Sequence, residues 1–586
     1  MTRTPANSGG QMLTTLREAL MPHLKWRQAQ LLKTLHERKQ SGAYAAASAA
    51  TTAGRPVLRA LVMGGGPIGL RCAVELAMLG HSVLALEQRA TFTRLNVLHL
   101  WDWVSHDLAE LGIKSLDPSV FASGDYVHVG TSQLQHSLLK IALLLGVQVR
   151  LGAQVSDLAD LKAVEPSKRR SLDWPADERG AGGAPLALEG LPSPGKAETS
   201  SPKARSCAKR SRLSFIMVDD AEQAGNGDDF GPSDMLGLSP AYRKDGAHEA
   251  AEIDDAASAF SADVLVDATG ARCGLFTAIG FEQVTALKSA RALGVVCHFY
   301  NRKTAEENAL SEGSWAQQYY TARFAKLKER GVNLQNLVYY RSTGAFSSAA
   351  THYFVMTADA DSLNAMGALH SLEVPEAQLC ASKNVDRAKL QDYVRLAVGE
   401  FVPELQHAEL VEAQGVQIFD FSERKVSNRA SVIVNAEELG GVAGQQVLVT
   451  RVGDALQEPF WPEGLGINRG FLGALDAADL AHRAMPLLLR PLGAGPATVD
   501  DFAALLRRRE EIYGLTKRLS GSNRQKELKP HLDAQRRYSY SLNPATRYAG
   551  WNKLDLAASS PRGGKPKMAF HTGWMTAPSV AARAKS

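Results

Sequence analysis

Leu58-Arg-Ala-Leu-Val-Met63 runs into Gly64-Gly-Gly66-Pro-Ile-Gly69, and an apolar stretch from Leu70 to Leu79 follows. An apolar strand, a glycine-rich turn and a helix are predicted in that order. Gly64 permits the tight turn, Gly66 lets a pyrophosphate approach the backbone, and Gly69 allows the helix to pack closely on the strand. The helix N-terminus then offers unpaired N–H groups and the positive end of its dipole to phosphate oxygens. A second strand from Ser82 ends on Glu87, about 20 residues after the turn, where a carboxylate can accept the ribose hydroxyls of an adenosine. The order strand, turn, helix, strand, acid predicts a βαβ unit that binds a dinucleotide.

Two later stretches repeat the strand-then-turn pattern. Ala262-Asp-Val-Leu-Val-Asp-Ala-Thr-Gly270 reads as a buried strand ending in small residues, which either returns beside the first unit or is an ordinary strand and turn. Val447-Leu-Val-Thr-Arg-Val452 is followed by Gly453-Asp454, then by Pro459, Phe460, Trp461, Pro462, Gly464, Gly466, Asn468 and Gly470, which open an Ala-rich helix. This resembles the ribityl-binding signature of the aromatic-hydroxylase class of flavin monooxygenases. Asp454 can accept a ribityl hydroxyl. The helix after Gly466 turns its positive end to the flavin edge that gathers negative charge on reduction. Together the three stretches predict FAD.

The rest of the chain sets bounds. It has 586 residues, 45% of them hydrophobic and 22% charged, a formal net charge of +5 and five cysteines without a C-x-x-C pair. That composition suits a soluble protein with large cores and implies neither a nucleic-acid binder nor a disulfide framework. No metal site, membrane insertion or secretory signal is expected, and the location is expected to be cytoplasmic. Leu13 to Arg38 reads as one amphipathic helix. Residues 161–259 are rich in Gly, Ala, Pro, Ser and charge and are expected to be a mostly disordered insertion, apart from an apolar run at Leu213 to Val218. From Leu505 onward 17 Lys and Arg face 5 Asp and Glu. That block is either a solvated surface or a patch that steers an acidic partner or the phosphate of NADPH.

A nearer resemblance rests on longer strings. Asn96-Val-Leu-His-Leu-Trp101, His106-Asp-Leu108, Gln133-Leu-Gln135, Leu138 to Gly146, Val338-Tyr-Tyr340, Thr351 to Thr357, Phe419-Asp-Phe421, Glu458-Pro-Phe-Trp-Pro462 and Asn543 to Tyr548 are similar to the flavin domain of the MICAL family. The resemblance covers Leu24 to Asn552 outside the insertion. It implies an NADPH-dependent monooxygenase that oxidises methionines of the actin filament to the sulfoxide through a flavin C4a-hydroperoxide, with association with the cytoskeleton. It implies flavin contacts from Glu87, Gln88 and Arg89, from Arg94, Leu95 and Asn96, and from Val155, Gly453 and Asp454. Trp315 and Trp461 are the aromatic positions implied beside the reacting ring, with Pro462, Gly464 and Gly466 in the same loop. Ile68 stands where the family commonly has Cys, and Leu95 where it has His.

The expected fold is α/β: a Rossmann-like FAD-binding domain, a mixed-sheet monooxygenase subdomain like that of p-hydroxybenzoate hydroxylase, and C-terminal helices. The expected divisions are 1–55 (helix and linker), 56–160, 260–290 and 435–490 (FAD-binding), 161–259 (insertion), 291–434 (monooxygenase subdomain), 491–552 (helices) and 553–586 (basic tail). Tyr339 and Tyr340 can equally be plain strand residues, and His106 and His352 are not counted as catalytic. Two rivals remain: a hydroxylase of aromatic or other small molecules on the same scaffold, and a flavin-fold protein that binds a partner without turnover.

Overall fold

The computed structural model describes residues 9–52, 57–100, 102–113, 127–153, 155, 213–216, 259–271, 274–288, 292–342, 350–412, 415–420, 423–439, 444–459, 466–490, 495 and 497–518. Trp461, Pro462, Gly464, the basic tail and nearly all of the expected insertion lie outside them. From the insertion, the strand Leu213–Ile216 is described. It pairs antiparallel with Ala259–Ala262, so the apolar run does form a strand.

The first sheet has six strands in the order Ser431–Asn435, Gln446–Arg451, Val264–Asp267, Arg59–Met63, Ser82–Glu87, Gln148–Leu151. Its first pair is antiparallel and its other pairs are parallel, which makes it a mixed sheet. Its central strands are apolar on both faces because both are covered. On one face the helices Pro67–Met78, Thr131–Leu144 and Gly466–Leu488 enclose Val62, Leu70, Val74, Leu134, Leu138, Phe471 and Ala474. On the other face Leu61, Met63, Leu84 and Leu86 meet Phe276, Phe281 and Val449. Three strands separated in the chain by up to four hundred residues thus lie side by side, as the three glycine-containing stretches predicted.

The second sheet has five strands in the order Gly313–Ala316, Leu334–Ser342, Thr351–Asp359, Ala292–Tyr300, Val416–Asp420, all antiparallel. Strict alternation gives it two faces. Leu293, Val295, Cys297, Phe299, Leu337, Tyr339, Phe354 and Met356 turn to the back, where Phe324, Tyr393, Val394 and Phe401 cover them. Val296, His298, Val338, Tyr340, Tyr353 and Val355 turn to the front, towards the six-stranded unit.

The N-terminal segment differs from the single helix and linker expected. Helix Gly9–Leu20 ends in a short 3-10 turn at Met21–His23, and a second helix covers Trp26–Lys39. Pro22 explains the break, since it has no N–H for the helix ladder. The Ala-rich stretch read as linker is a third helix, Gly42–Thr52. Alanine has the highest helix propensity, and Tyr44 anchors this helix through a 2.9 Å hydrogen bond from its hydroxyl to Glu75. These helices dock on a buried charge network. Asp107 accepts from Arg38 and Arg71 at 2.7 Å each, and Arg71 also reaches Glu75 at 2.9 Å. The two guanidiniums hold the Asp107 carboxyl below the carboxylate range against the opposing effect of burial, which is the larger single influence. No helix among the described residues is long and apolar enough to cross a membrane.

Candidate cofactor cleft and active site

The glycine turn is built by close backbone approach. Gly64 has φ +109°, and a Cβ there would stand 2.3 Å from the Ala268 carbonyl oxygen. A Cβ on Gly69 would stand 1.9 Å from the Gly64 carbonyl oxygen and 3.0 Å from Ala268 Cβ. The turn, the helix and the Val264–Asp267 strand therefore meet at a point with no room for side chains, which is why Ala268 and two glycines occupy it. Glu87 is buried against the same turn. Its Oε2 accepts the Gly65 amide at 2.9 Å and its Oε1 the Arg89 amide at 3.0 Å. Each carboxylate oxygen keeps acceptor capacity for a ribose hydroxyl. Gly66 caps helix Pro67–Met78 without a side-chain hydrogen bond, and a Cβ built on it meets nothing within 4 Å. The helix N-terminus is thus open to an anion.

A second helix starts beside the first. Ile68, in the first turn of Pro67–Met78, is wedged between Gly453 and Gly470. A Cβ on Gly470 would lie 2.4 Å from Ile68 Cδ1, and one on Gly453 3.3 Å from Ile68 Cβ. Helix Gly466–Leu488 therefore starts alongside Pro67–Met78, with the turn Gly453–Ala455 between them. Asp454 occupies that turn. Burial pushes its carboxyl up to about 6, Arg94 pulls the other way, and Glu458 adds to the rise. Arg94 feels burial and Arg89, both of which lower its value, and Asp454 and Glu87, which raise it. Glu87, Arg89, Arg94 and Asp454 thus lie close together beside the starts of these two helices.

The segment carrying Arg94, Leu95 and Asn96 is held by its carbonyls. Asn96 O accepts from the amide and the hydroxyl of Thr131 at 2.8 Å each, and Arg94 O accepts the Ser132 amide at 3.3 Å. That leaves the side chains to the cleft and to the second sheet, where Asn96 Nδ2 reaches the Tyr353 hydroxyl at 3.4 Å. Gln88 is exposed just past Glu87, and Leu95 and Val155 are half-buried. Val155 follows Ala153, whose amide donates to Glu87 O at 3.0 Å. The Val264–Asp267 strand ends on Asp267, whose carboxylate pairs with the buried Arg451 at 3.0 Å and accepts the Thr269 hydroxyl at 2.8 Å. This ties the second stretch to the third.

Trp315 does not join these residues. It is paired with Leu337, and Leu337 with Met356, on the back of the five-stranded sheet. Its ring stands 5.2 Å from Phe401, on the opposite side from Tyr353. The cause is the alternation of an edge strand: Ser314 and Ala316 take the front, and the tryptophan between them takes the packed side. Tyr339 is likewise a back-face residue, with its hydroxyl 2.7 Å from His352 Nδ1.

The structure adds residues that the sequence did not single out. At the junction of the two sheets the ribbon Val97–Leu100 and Val127–Gly130 presents His99 and His128, with Nδ1 of the first 3.0 Å from Nε2 of the second. The His128 ring meets the Tyr340 ring edge-on at 4.5 Å, Tyr340 stacks on Tyr353 at 6.0 Å, and Tyr353 stacks on His298 at 4.6 Å. His298 is fully buried, and burial holds it down at about 3. These rings form a continuous stack on the front face at the junction of the two sheets. The period-two pattern of Thr351 to Thr357 could have separated the two faces; the partners across the junction had no local signal.

A family model described as the Rossmann domain of Mical matches residues 291–420, the segment that forms the five-stranded sheet and its helices here. The F-actin monooxygenase mical1 of Danio rerio is 32% identical over 511 residues, which are 86% of this chain and 32% of that protein. The F-actin monooxygenase MICAL1 of Rattus norvegicus is 31% identical over 545 residues, 92% of this chain and 40% of that protein. The chain thus spans about a third to two fifths of the length of these relatives. Among solved structures, the tetrameric form of 2-methyl-3-hydroxypyridine-5-carboxylic acid oxygenase has a TM-score of 0.43 at 14% identity, covering 85% of this chain and 98% of the other.

Proposed function

This chain is a relative of the MICAL F-actin monooxygenases over most of its own length, and we propose that it is an FAD-dependent monooxygenase that uses NADPH and oxygen to convert methionine side chains of actin to the sulfoxide. The observation that carries this is the meeting of Glu87, Arg94, Asp454 and two helix N-termini in one cleft beneath the front face of the second sheet.

The donor set fits FAD. The amides of the first turn of Pro67–Met78, opened by Gly66, would hold the pyrophosphate, and Glu87 the adenosine ribose. Asp454 would accept a ribityl hydroxyl. The N-terminus of Gly466–Leu488 would face the pyrimidine edge, and Arg94 would balance the Asp454 charge. When bound, the flavin supplies the passage of electrons from NADPH to oxygen and of one oxygen atom to the thioether. NADPH, one proton, oxygen and the thioether become NADP, water and the sulfoxide.

The residues of the chain do the rest. Tyr340, Tyr353 and the histidine rings beside them keep water from the reacting atoms, which limits loss of oxygen as peroxide. A thioether is itself a soft nucleophile, so no general base is required to activate it. Trp461 would flank the ring from its loop. The basic C-terminal block would steer an acidic filament to the cleft and weaken in this role as salt rises. The test is the rate at which the yellow protein consumes NADPH, with and without actin filaments. A filament-stimulated rate supports the proposal. A rate raised by small phenols and unchanged by filaments points to the small-molecule hydroxylase, and a yellow protein that consumes no NADPH under any condition points to a binding protein.

A further inference from the structure

Helix Ala503–Arg518 packs along Gly466–Leu488. Arg509, Tyr513 and Lys517 follow one another in it at intervals of four, which puts all three on one side. Tyr513 is fully buried there, and its hydroxyl stands 2.8 Å from the carbonyl oxygens of both Ser427 and Leu456. Leu456 directly follows the turn Gly453–Ala455 that carries Asp454. The Lys517 ammonium lies over the Tyr513 ring, 3.9 Å from its centre. Arg509, one turn earlier, is only 2% exposed. Its Nε, Nη1 and Nη2 are all shut off from water, and none of the described residues accepts a hydrogen bond from any of them.

A guanidinium cannot shed its proton in a protein, so unlike a buried lysine it has no way to escape the cost of burial by becoming neutral. A buried charge without a partner is among the most costly features a fold can carry. The surroundings do not cancel it. After burial, the charges that act most on the Tyr513 hydroxyl are Arg509, then Glu510, then Arg451 and Arg424. Arg451 is paired with Asp267 at 3.0 Å. Glu510 is the one carboxylate of the four, and its Oε1 is turned to the amides of Ala430 and Ser431 at 2.6 and 3.4 Å. The Arg509 charge also opposes the effect of burial on the Cys72 thiol, which stands at about 12, so the guanidinium points inward towards helix Pro67–Met78.

We propose that Arg509 and Lys517 form a binding site for a phosphoryl group, built from other residues than the glycine turn assigned to the FAD pyrophosphate. The planar fork of a guanidinium donates two parallel hydrogen bonds to two oxygens of one phosphoryl group, and an ammonium adds a second positive charge. Two cations on one helix side suit a doubly charged phosphoryl group better than a carboxylate. The ligand supplies the acceptors that Arg509 lacks. It enters past Lys517, which is partly exposed, where the helix is open because a Cβ on Gly514 would meet nothing within 4 Å. Once bound, it steadies Tyr513 and, through the tyrosine hydroxyl, the Leu456 carbonyl behind the Asp454 turn. The same chemistry is offered by inorganic phosphate and by the ribose phosphate of NADPH. The site stands whether or not the protein oxidises methionine.

The test uses the flavin-loaded protein, in which the glycine turn is already filled. Inorganic phosphate titrated by calorimetry at constant ionic strength should bind at one site. Arg509→Met, which keeps the length of the side chain without its charge, should weaken that binding at least about tenfold. Lys517→Gln, on the more exposed side, should weaken it about threefold. Stability gives an independent sign. In phosphate-free buffer Arg509→Met should melt above the native protein, because it removes an unpaired buried charge. Saturating phosphate should raise the native protein and not the variant. Displacement of phosphate by NADPH but not by NADH would identify the cofactor as the source of the group, and displacement by neither would leave inorganic phosphate as the ligand; both uphold the site. Native protein that binds phosphate no better than the Arg509→Met and Lys517→Gln proteins would overturn it, and so would an Arg509→Met protein that melts below the native one in phosphate-free buffer. Should Arg509→Met not fold, an unchanged phosphate affinity in Lys517→Gln refutes the site by itself.

Discussion

Gly470→Ala sets two effects of known size against each other. Alanine in place of glycine within a helix gains about 1 kcal/mol from backbone propensity. The added Cβ would lie 2.4 Å from Ile68 Cδ1 and 2.7 Å from Ile68 Cγ1, and Ile68 cannot retreat freely because Gly453 stands against its other side. Overpacking of this kind costs about 1–3 kcal/mol. The net effect in the native background is therefore a loss of up to about 2 kcal/mol, from the difference of those two ranges. Ile68→Ala removes the obstructing atoms, at its own cost of about 2 kcal/mol for a half-buried isoleucine. In that background Gly470→Ala has only the propensity term and should stabilise by about 1 kcal/mol. The sign of one substitution thus reverses with the residue at position 68. Urea unfolding of the four proteins at a fixed flavin concentration measures it. Equal effects of Gly470→Ala in both backgrounds would show that helices Pro67–Met78 and Gly466–Leu488 do not meet at Ile68, and the shared cleft would go with that contact.

Gly69→Ala should be worse than Gly470→Ala, because its Cβ meets the backbone oxygen of Gly64 at 1.9 Å; a purified Gly69→Ala protein with native flavin content and native urea midpoint would contradict the packing described. Asp454, pushed up to about 6 by burial, gives the flavin-free protein stability at low pH that is lost as pH rises through about 6. Hydroxyl donors favour its charged form, so flavin affinity should rise with pH up to about 6 and level off above it, and Asp454→Asn should abolish that dependence in a flavin-fluorescence titration. His81 and His298 are both held at about 3 by burial, His81 also by His482 and Lys39. Their neutral forms stabilise the fold above about pH 6.5, and this is lost as pH falls towards 3, so at pH 5 each should cost about 2 kcal/mol. Melting temperatures at about pH 7.5 and about pH 5 that coincide would refute this linkage. Trp315→Ala should cost about 2–4 kcal/mol through lost packing on Phe401 and leave the flavin absorbance per folded molecule unchanged; bleached but stable protein would place the tryptophan at the cofactor after all.

Local order was legible in the sequence and side-chain direction was not. Glycines 64 and 69 announce themselves because only a residue without Cβ fits where Ala268, Gly64 O and the helix converge, while Glu87 ends its strand and Asp454 follows its own at fixed distance. The strand read from Val447 to Val452 is Gln446–Arg451, a shift of one residue that left Asp454 correctly placed in the turn. Trp315 failed for a different reason. A resemblance between strings locates a residue along the chain, but the pairing of Gly313–Ala316 with Leu334–Ser342 decides which face it takes, and that register is a long-range property. Glu312, whose Oε2 lies 3.3 Å from His128 Nδ1, is nearly two hundred residues from it in the chain, and nothing near either one marks the other. The break at Pro22 was written in the sequence but was overruled by the leucine spacing on either side. The Ala-rich stretch after it looked like a linker because it lacks large apolar residues, whereas a helix needs only one anchor such as Tyr44.

Methionine chemistry on actin is what sets the proposed activity apart from every other use of this cleft. Filaments incubated with the flavin-loaded protein, NADPH and oxygen, under catalase to remove released peroxide, should yield actin peptides in which particular methionines gain one oxygen atom. Omission of NADPH or the change Asp454→Asn should suppress that gain. Actin whose methionines stay unchanged while NADPH is consumed, or are oxidised only when catalase is left out, would mean that the protein does not act on the filament.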